Sequence, residues 1–166
     1  MADNEFDEIK FKQAVDMSTF SQVLAMDDEG ECQFSLSMVL EFFDQGKNTL
    51  PDMENALQVS PFYVTLSHLN DCSVIFTAFS VQRDLPKLSF LARFLKGSAS
   101  AYGLRKVRQC CEKIEHYGSK RNEDGSAAEY DEDLCLSRIN SEIGILRNTL
   151  TEAQMAFEFF YKTKLA

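Results

Sequence analysis

The chain contains no tryptophan, only 3 prolines and only 7 glycines among its 166 residues. Because proline and glycine are the residues least compatible with a helix interior, their scarcity leaves most of the chain free to be helical. Basic residues are also in deficit, since 17 Lys and Arg face 26 Asp and Glu, a formal net charge of −9. Nucleic-acid-binding proteins neutralise phosphates with clustered Lys and Arg, so this balance argues against a nucleic-acid partner.

Sequence signals for metal binding, export and membrane insertion are missing too. The five cysteines include no Cys-x-x-Cys pair and the chain has only two histidines, so we expect no metal site. The first thirty residues are acidic and lack an apolar segment, which predicts no signal peptide. No apolar run approaches the roughly 20 residues that cross a bilayer. We therefore expect a monomer of the cytosol or nucleus, with reduced thiols and no membrane contact.

Apolar residues recur at helical spacing in several long segments, which predicts an all-α fold. We expect an antiparallel four-helix bundle over residues 16–166, which includes a short N-terminal helix that Asp16 caps. The predicted long helices begin near Cys32, at Asp84 or Ser89, at Leu104 and near Leu134. Gly103 and Gly118 are expected to end the second and third of these helices. Pro51 lies inside the first and predicts a kink or a restart near residues 48–51.

Three segments lack this periodicity. Residues 1–15 are charged and are expected to form a flexible N-terminus. Residues 59–82 are rich in β-branched and aromatic residues and predict an irregular insertion, with some strand or short helix packing on the bundle. Residues 119–133 are polar and acidic, and we expect a solvated, mobile linker there.

The stretch from Leu91 to Gly103 is the most informative for function. On a helix, Arg93, Lys96, Gly97 and Ser100 share one face, opposite a face that carries apolar residues. Glycine inside a helix costs about 1 kcal/mol relative to alanine, so its presence beside two cations suggests that a partner approaches the backbone closely. The pattern therefore favours a docking surface, although a solvated helix face is the commoner fate of such residues.

The same stretch carries a family resemblance. The run Ala92-Arg93-Phe94-Leu95-Lys96-Gly97-Ser98 resembles the signature A-H-x-L-K-G-S-S of histidine-containing phosphotransfer (HPt) domains. Further blocks at 20–28, 41–45, 103–104 and 111–114 are similar to the fungal relay proteins of an osmosensing pathway. The resemblance covers most of residues 16–58 and 84–118, with the blocks in the same order.

The resemblance implies a four-helix bundle that carries phosphoryl groups rather than a classical enzyme. In that family one histidine accepts the group from an aspartate of one receiver domain and passes it to another, and the receiver supplies the magnesium. The implied partners are receiver domains of a hybrid sensor histidine kinase and of response regulators, with no cofactor bound by the chain itself. Lys96 matches a lysine that offsets phosphoryl charge, and Gly97 matches a glycine that leaves room for the receiver.

Arg93 departs from the family pattern, because it stands where the family has its phospho-accepting histidine. A guanidinium stays protonated and offers no lone pair to attack phosphorus. The resemblance therefore implies a pseudo-HPt protein that docks receiver domains without accepting phosphate. His116 and His68 are the only histidines that could substitute, and His116 is more simply explained as a partly exposed surface residue.

Other residues are candidates for contact with a receiver. Phe94 is a possible exposed aromatic anchor, and plain core packing is an equal alternative for it and for several of the others. Glu115 stands near the site where the fungal relatives have a glutamine. The full set of partner-binding candidates is Thr19, Val23, Met38, Gln45, Phe94, Ser100 and Glu115. The alternative function is a helical adaptor with no connection to a phosphorelay; a hydrolase or metal enzyme has no supporting group of residues.

Residues 59–82 also separate two blocks that the family places close together. Removing them would join Gln58 to Arg83 and restore the family spacing between the second and third helices. Our hypothesis is that this segment is an insertion of non-family origin, such as a translated intron.

Overall fold

Helices make up most of the part of the chain that the structure describes. The computed structural model describes residues 11–28, 31–58 and 83–165 in full, together with the backbone of two strands at 59–64 and 76–81. The elements in chain order are α1 (Met17–Leu24), α2 (Gln33–Leu57), β1 (Val59–Val64), β2 (Phe76–Val81), α3 (Leu85–Ala101), α4 (Arg105–Gly118) and α5 (Glu132–Lys164). The long helices α2 to α5 form the bundle and α1 precedes it, so the predicted fold class is confirmed.

Aspartates start three of the helices. The side chain of Asp16 accepts a hydrogen bond from the backbone N–H of Ser18, and that of Asp84 accepts one from Lys87. Asp131 caps α5 in the same way. A carboxylate at this position satisfies a backbone donor that the first turn leaves unpaired and favours the positive end of the helix dipole. The sequence predicted the cap at Asp16 and offered Asp84 as one of two starts for α3.

Gly103 makes the tight turn between α3 and α4. Its φ is +69°, a conformation that residues with a side chain rarely adopt. A Cβ atom there would also lie 2.6 Å from the backbone oxygen of Asp16. The turn therefore requires glycine for two separate reasons, and it allows α1 to start directly against the α3–α4 junction.

The helix α2 runs without interruption through Pro51, so the predicted restart near residues 48–51 is wrong. Residues on both sides of the proline hold the helix in place, because Leu50, Met53 and Ala56 are all buried. Thr49 also donates its hydroxyl to the carbonyl of Gln45 one turn earlier. Packing of this face offsets the backbone hydrogen bond that proline cannot make.

The core lies between the inward faces of the helices. The apolar stripe predicted for α5 is confirmed, and Ile139, Leu146 and Phe157 on it are almost inaccessible. At one end the core includes an aromatic cluster formed by Phe11, Phe20, Phe157 and Phe160. Phe11 and Val15 are buried, and residues 11–14 are helical, so this part of the expected flexible N-terminus is packed. The rest of that segment, residues 1–10, lies outside the described residues.

The strands β1 and β2 pair as an antiparallel hairpin, from Val59 opposite Val81 to Val64 opposite Phe76. The described part of the predicted insertion is thus regular rather than irregular, which agrees with the strand alternative. Residues 65–75 and 82 lie outside the described residues. Next to the hairpin, the backbone N–H of Asp84 donates to the carbonyl of Ala56 at 3.3 Å, so the ends of α2 and α3 meet.

The predicted acidic linker is an exposed loop with internal hydrogen bonds. The N–H of Asn122 donates to the carbonyl of Ala127, and the N–H of Glu129 donates to that of Lys120. A single bridge joins Arg121 to Ala128. Sequence periodicity carries no signal for such turn contacts, which close the loop on itself. The helix α5 then begins at Glu132, within the segment expected to be a linker.

None of the helices in the described ranges combines the length and apolar character needed to span a membrane.

Candidate functional site

The outward surface of α3 carries the residues that the sequence singled out. Arg93, Phe94, Gly97 and Ser100 are exposed, whereas Ala92, Leu95 and Ala99 between them are buried. The side chain of Phe94 is 58 % exposed, so it is a surface aromatic rather than a core residue. A Cβ atom added to Gly97 would meet nothing within 4 Å. The helix therefore presents cations, an aromatic ring and open backbone on one face.

Two cations of this face converge on one carboxylate of α4. The Nε of Arg93 donates to Oε1 of Glu115 at 3.0 Å, and the ammonium of Lys96 pairs with Oε2. Glu115 is largely covered, with 15 % of its side chain exposed, while Arg93 is 67 % exposed. We call Arg93, Lys96 and Glu115 the charged triad.

Burial of Glu115 would by itself raise the pKa of its carboxyl group. Hydrogen bonds and charge attraction from Lys96 and Arg93 outweigh that effect, and the pKa lies below its usual value. Glu115 is therefore ionised at neutral pH. The formal charge of the charged triad is +1, since two cations face one anion.

A second contact links α3 to α2 close to the charged triad. The hydroxyl of Ser98 donates to Oε1 of Gln45 at 3.2 Å. The Nε2 of the same amide is buried and has no hydrogen-bond partner among the described residues. Ser98 is partly exposed and lies beside the predicted contact residue Gln45.

The remaining partner-binding candidates lie along the α1 and α2 side of the same helix. Thr19 and Ser100 line a shallow cleft of about 300 Å³ together with Gly103. Val23 and Met38 are partly buried and pack against the core, so the core-packing alternative describes them best. The Met38 carbonyl accepts a hydrogen bond from the hydroxyl of Tyr102 at 3.1 Å, which ties the end of α3 to α2.

Two features of this surface escaped sequence reasoning. Phe90 is 67 % exposed and precedes Phe94 by one helical turn. This four-residue spacing places both rings on one face of the helix, and it is the sequence signal that could have identified Phe90. The pairing of Glu115 with both cations depends on the packing of α4 against α3, and no local signal predicts it. Sequence reasoning marked Glu115 for its position alone.

The histidine considered as a substitute acceptor has a different environment. The Nδ1 of His116 lies 2.9 Å from the carbonyl oxygen of Glu123. Its ring also faces Gly125, where an added Cβ would approach within 2.9 Å. These contacts bind His116 to the 119–131 loop, whereas the charged triad uses its neighbour Glu115. His68 lies outside the described residues.

Within the described ranges, no group of three or more His, Cys, Asp or Glu side chains is arranged to hold a metal ion. The four cysteines within the described ranges are buried, and burial raises the pKa of the Cys110 and Cys111 thiols, which keeps them protonated. The surface thus offers charge, an aromatic ring and backbone access.

The fold is a helical bundle, and one of its helices presents a cationic, glycine-containing face to solvent. Residues 37–155 match the Hpt domain model, and the chain belongs to the Hpt domain family. It is 34 % identical over 154 residues to "Multistep phosphorelay regulator 1" of Schizosaccharomyces pombe, covering 93 % of this chain and 44 % of that protein. It is 31 % identical over 124 residues to the Candida albicans "Phosphorelay intermediate protein YPD1", covering 75 % and 54 % of the two chains. The chain therefore spans about half the length of these curated relatives.

Solved structures show the same fold. The bundle matches the Saccharomyces cerevisiae histidine phosphotransfer signaling protein Ypd1, in its co-crystal structure with the receiver domain of the downstream response regulator Ssk1. The TM-score is 0.67 at 21 % sequence identity, over 90 % of this chain and 95 % of the other. At that identity the match supports the architecture alone.

Proposed function

We propose that this chain docks receiver domains within a multistep phosphorelay and does not itself accept a phosphoryl group. Membership of the Hpt domain family supports the first part, together with relatives whose names describe phosphorelay regulators and intermediates. The Ypd1 structure was solved with a receiver domain, so this fold can present a surface to such a partner. Receiver domains of a hybrid histidine kinase and of response regulators are the proposed partners.

The second part follows from the chemistry of Arg93. An acceptor needs a nucleophilic lone pair in line with phosphorus at roughly 3 Å, which a neutral imidazole offers and a guanidinium does not. Arg93 is exposed at the position that resembles the phospho-accepting site of the family. Its charge favours docking to the acidic pocket of a receiver, which gathers carboxylates around magnesium. The result is binding without transfer, and the magnesium belongs to the receiver.

The proposal rests on the exposed face of α3, where Arg93, Phe94 and an open Gly97 lie together and no imidazole is present. Lys96, which pairs with Glu115, follows Arg93 by one helical turn and supplies a positive charge for a phosphoryl group, so we assign the loss of transfer to the missing nucleophile. Docking and phosphoryl acceptance can therefore be tested separately. A single substitution at Arg93 tests acceptance while the rest of the docking surface is unchanged.

The experiment incubates the chain with a ³²P-labelled phospho-receiver and follows label on both proteins by gel electrophoresis. We expect no label on the wild type or on Arg93→Ala. Arg93→His is expected to acquire acid-labile label, because it restores the imidazole on an unchanged helix face.

Label on the wild type that persists in Arg93→Ala would place the acceptor at another residue and refute the second part. Failure of Arg93→His to accept label would show that Glu115 or residues 59–82 have also altered the site. If no receiver binds either form, the chain is a helical adaptor outside the phosphorelay.

A further inference from the structure

The charged triad leaves most of the Arg93 guanidinium unused. Its Nε holds Glu115, and among the described residues no partner is found for its two terminal nitrogens. These nitrogens carry four of the five N–H donors of the group and form the fork that recognises two oxygens of one anion. The guanidinium is therefore hydrogen-bonded through Nε, while its two terminal nitrogens are accessible to a ligand.

Glu115 determines which anions bind favourably to Arg93 and Lys96. Lys96 is paired with its Oε2, and Arg93 with its Oε1, so one carboxylate already satisfies part of both cations. A second carboxylate brings only one more negative charge to a triad whose formal charge is +1. A phosphoryl group brings about two negative charges and three acceptor oxygens, which match the open fork and the ammonium together.

The surroundings allow such a group to reach the fork. Arg93 is exposed, and nothing lies within 4 Å of the position that a Gly97 Cβ would occupy. Phe94 stands beside Arg93 with 58 % of its surface exposed and offers apolar contact to the rim of a partner. A phosphorylated side chain recessed in a partner's pocket could therefore approach the cations along the open backbone.

We propose that Arg93 and Lys96 form a binding site for the acyl phosphate of a phosphorylated receiver aspartate, so that the chain selects the phosphorylated form of its partner. Glu115 acts as the positioning residue that fixes the guanidinium. This inference rests on the proposed function. No bond to phosphorus forms or breaks, because Arg93 has no lone pair and the phosphoryl group stays on the receiver.

The test measures the Kd for a receiver domain with Mg²⁺ alone and with Mg²⁺ and beryllofluoride, which occupies the aspartate as a stable mimic of its acyl phosphate. We expect the beryllofluoride form to bind about tenfold more tightly, as befits a charge-assisted, two-point contact. Arg93→Ala is expected to bind both receiver forms more weakly and to lose the preference, so that its two Kd values become equal. Arg93→Lys keeps the charge without the fork and is expected to retain only part of the preference.

Glu115→Gln separates the charge of Glu115 from its positioning role, because the amide oxygen can still accept from Nε while the negative charge is gone. We expect it to bind the beryllofluoride form more tightly than the wild type does. Arg147→Ala is the matched control, because it removes an exposed arginine of α5 that pairs with Glu54 of α2, away from the charged triad. It should change neither Kd.

The outcomes separate this inference from the proposed function. Equal binding of the two receiver forms by the wild type would overturn the inference and leave receiver docking intact. A preference that survives Arg93→Ala would also overturn it, because the preference would arise from another surface. Absence of binding to every receiver, with and without beryllofluoride, would refute the proposed function itself.

Discussion

Asp16 is a single residue that joins the start of α1 to the turn between α3 and α4. It caps α1 through Ser18, and its Oδ2 pairs with the guanidinium of Arg105 at the start of α4 at 2.7 Å. Its backbone N–H donates to the carbonyl of Gly103 at 2.9 Å. The hydrogen bonds from Ser18 and Arg105 lower the pKa of this carboxyl group from 3.8 to about 2.

This pKa predicts an acid-sensitive contribution to stability. A carboxyl group whose pKa falls on folding stabilises the native state above its unfolded pKa, and that stabilisation is lost as the pH falls through the folded value. The contribution of Asp16 should therefore be complete above about pH 4 and disappear toward pH 2. Asp16→Asn keeps a capping side chain but cannot ionise, so its unfolding midpoint should lie below that of the wild type at pH 6 and converge with it near pH 2.

Urea unfolding followed by circular dichroism across this range measures the difference. Asp28→Asn is the control, because that exposed carboxylate has no side-chain hydrogen bond among the described residues. A gap between wild type and Asp16→Asn that stays constant from pH 6 to pH 2 would contradict the assignment.

At the scale of elements, the contact between α3 and α4 decides the geometry of the charged triad. Gly118, the last residue of α4, approaches the backbone of α3 so closely that an added Cβ would lie 2.8 Å from the nitrogen of Ser89 and 2.9 Å from the oxygen of Leu85. The hydroxyl of Ser89 in turn donates to the carbonyl of Glu115 at 3.2 Å. The residue that binds Arg93 is thus placed by a glycine contact one turn further along its own helix.

Gly118→Ala is therefore expected to destabilise the protein by about 1–3 kcal/mol, the usual cost of inserting a methyl group against closely packed atoms. Gly144→Ala is the matched control on α5, because its Cβ would meet nothing within 4 Å and alanine favours the helix. Chemical denaturation of both variants should give opposite signs. A stable Gly118→Ala variant would show that the two helices can separate slightly without cost.

The order and limits of the helices were largely predictable, because each buried stripe repeats at the helical period. The continuous path of α2 through Pro51 was not, since the decisive interactions are the tertiary contacts of Leu50 and Met53. In the candidate site, the exposed positions of Arg93, Phe94 and Gly97 followed from periodicity. The pairing with Glu115 did not, because it depends on how α4 packs on α3 after the chain has turned at Gly103.

For the whole molecule, the hairpin β1–β2 leaves the bundle at the end of α2 and returns to it beside that point, at the start of α3. Val59 pairs with Val81 at its base, and Asp84 donates to Ala56 across the chain ends that flank it. The helices α2 and α3 are therefore already joined by a hydrogen bond without the help of residues 59–82. The origin of the segment as an insertion stays a prediction, which deletion of the segment would test.

Deletion of residues 59–82, with Gln58 joined to Arg83 directly or through two glycines, is expected to leave a folded bundle. Helical circular dichroism should be retained and the melting temperature should change by only a few degrees, because the described core residues all lie outside the segment. Loss of cooperative unfolding in both joined forms would show that the segment is part of the fold. Sequencing of the transcript tests its origin, and an abundant message that encodes it would refute the translated-intron hypothesis.

The short turn at Gly103 has a further consequence, for the order in which the molecule assembles. Contacts between neighbours in sequence cost less chain entropy to close than contacts between distant segments, and they form early in folding. Arg93, Lys96 and Glu115 all lie on the two helices that this turn joins. The charged triad therefore closes a short stretch of chain, with 22 positions between Arg93 and Glu115, and we expect its loop-closure entropy to be lower than that of the contacts between α2 and α5.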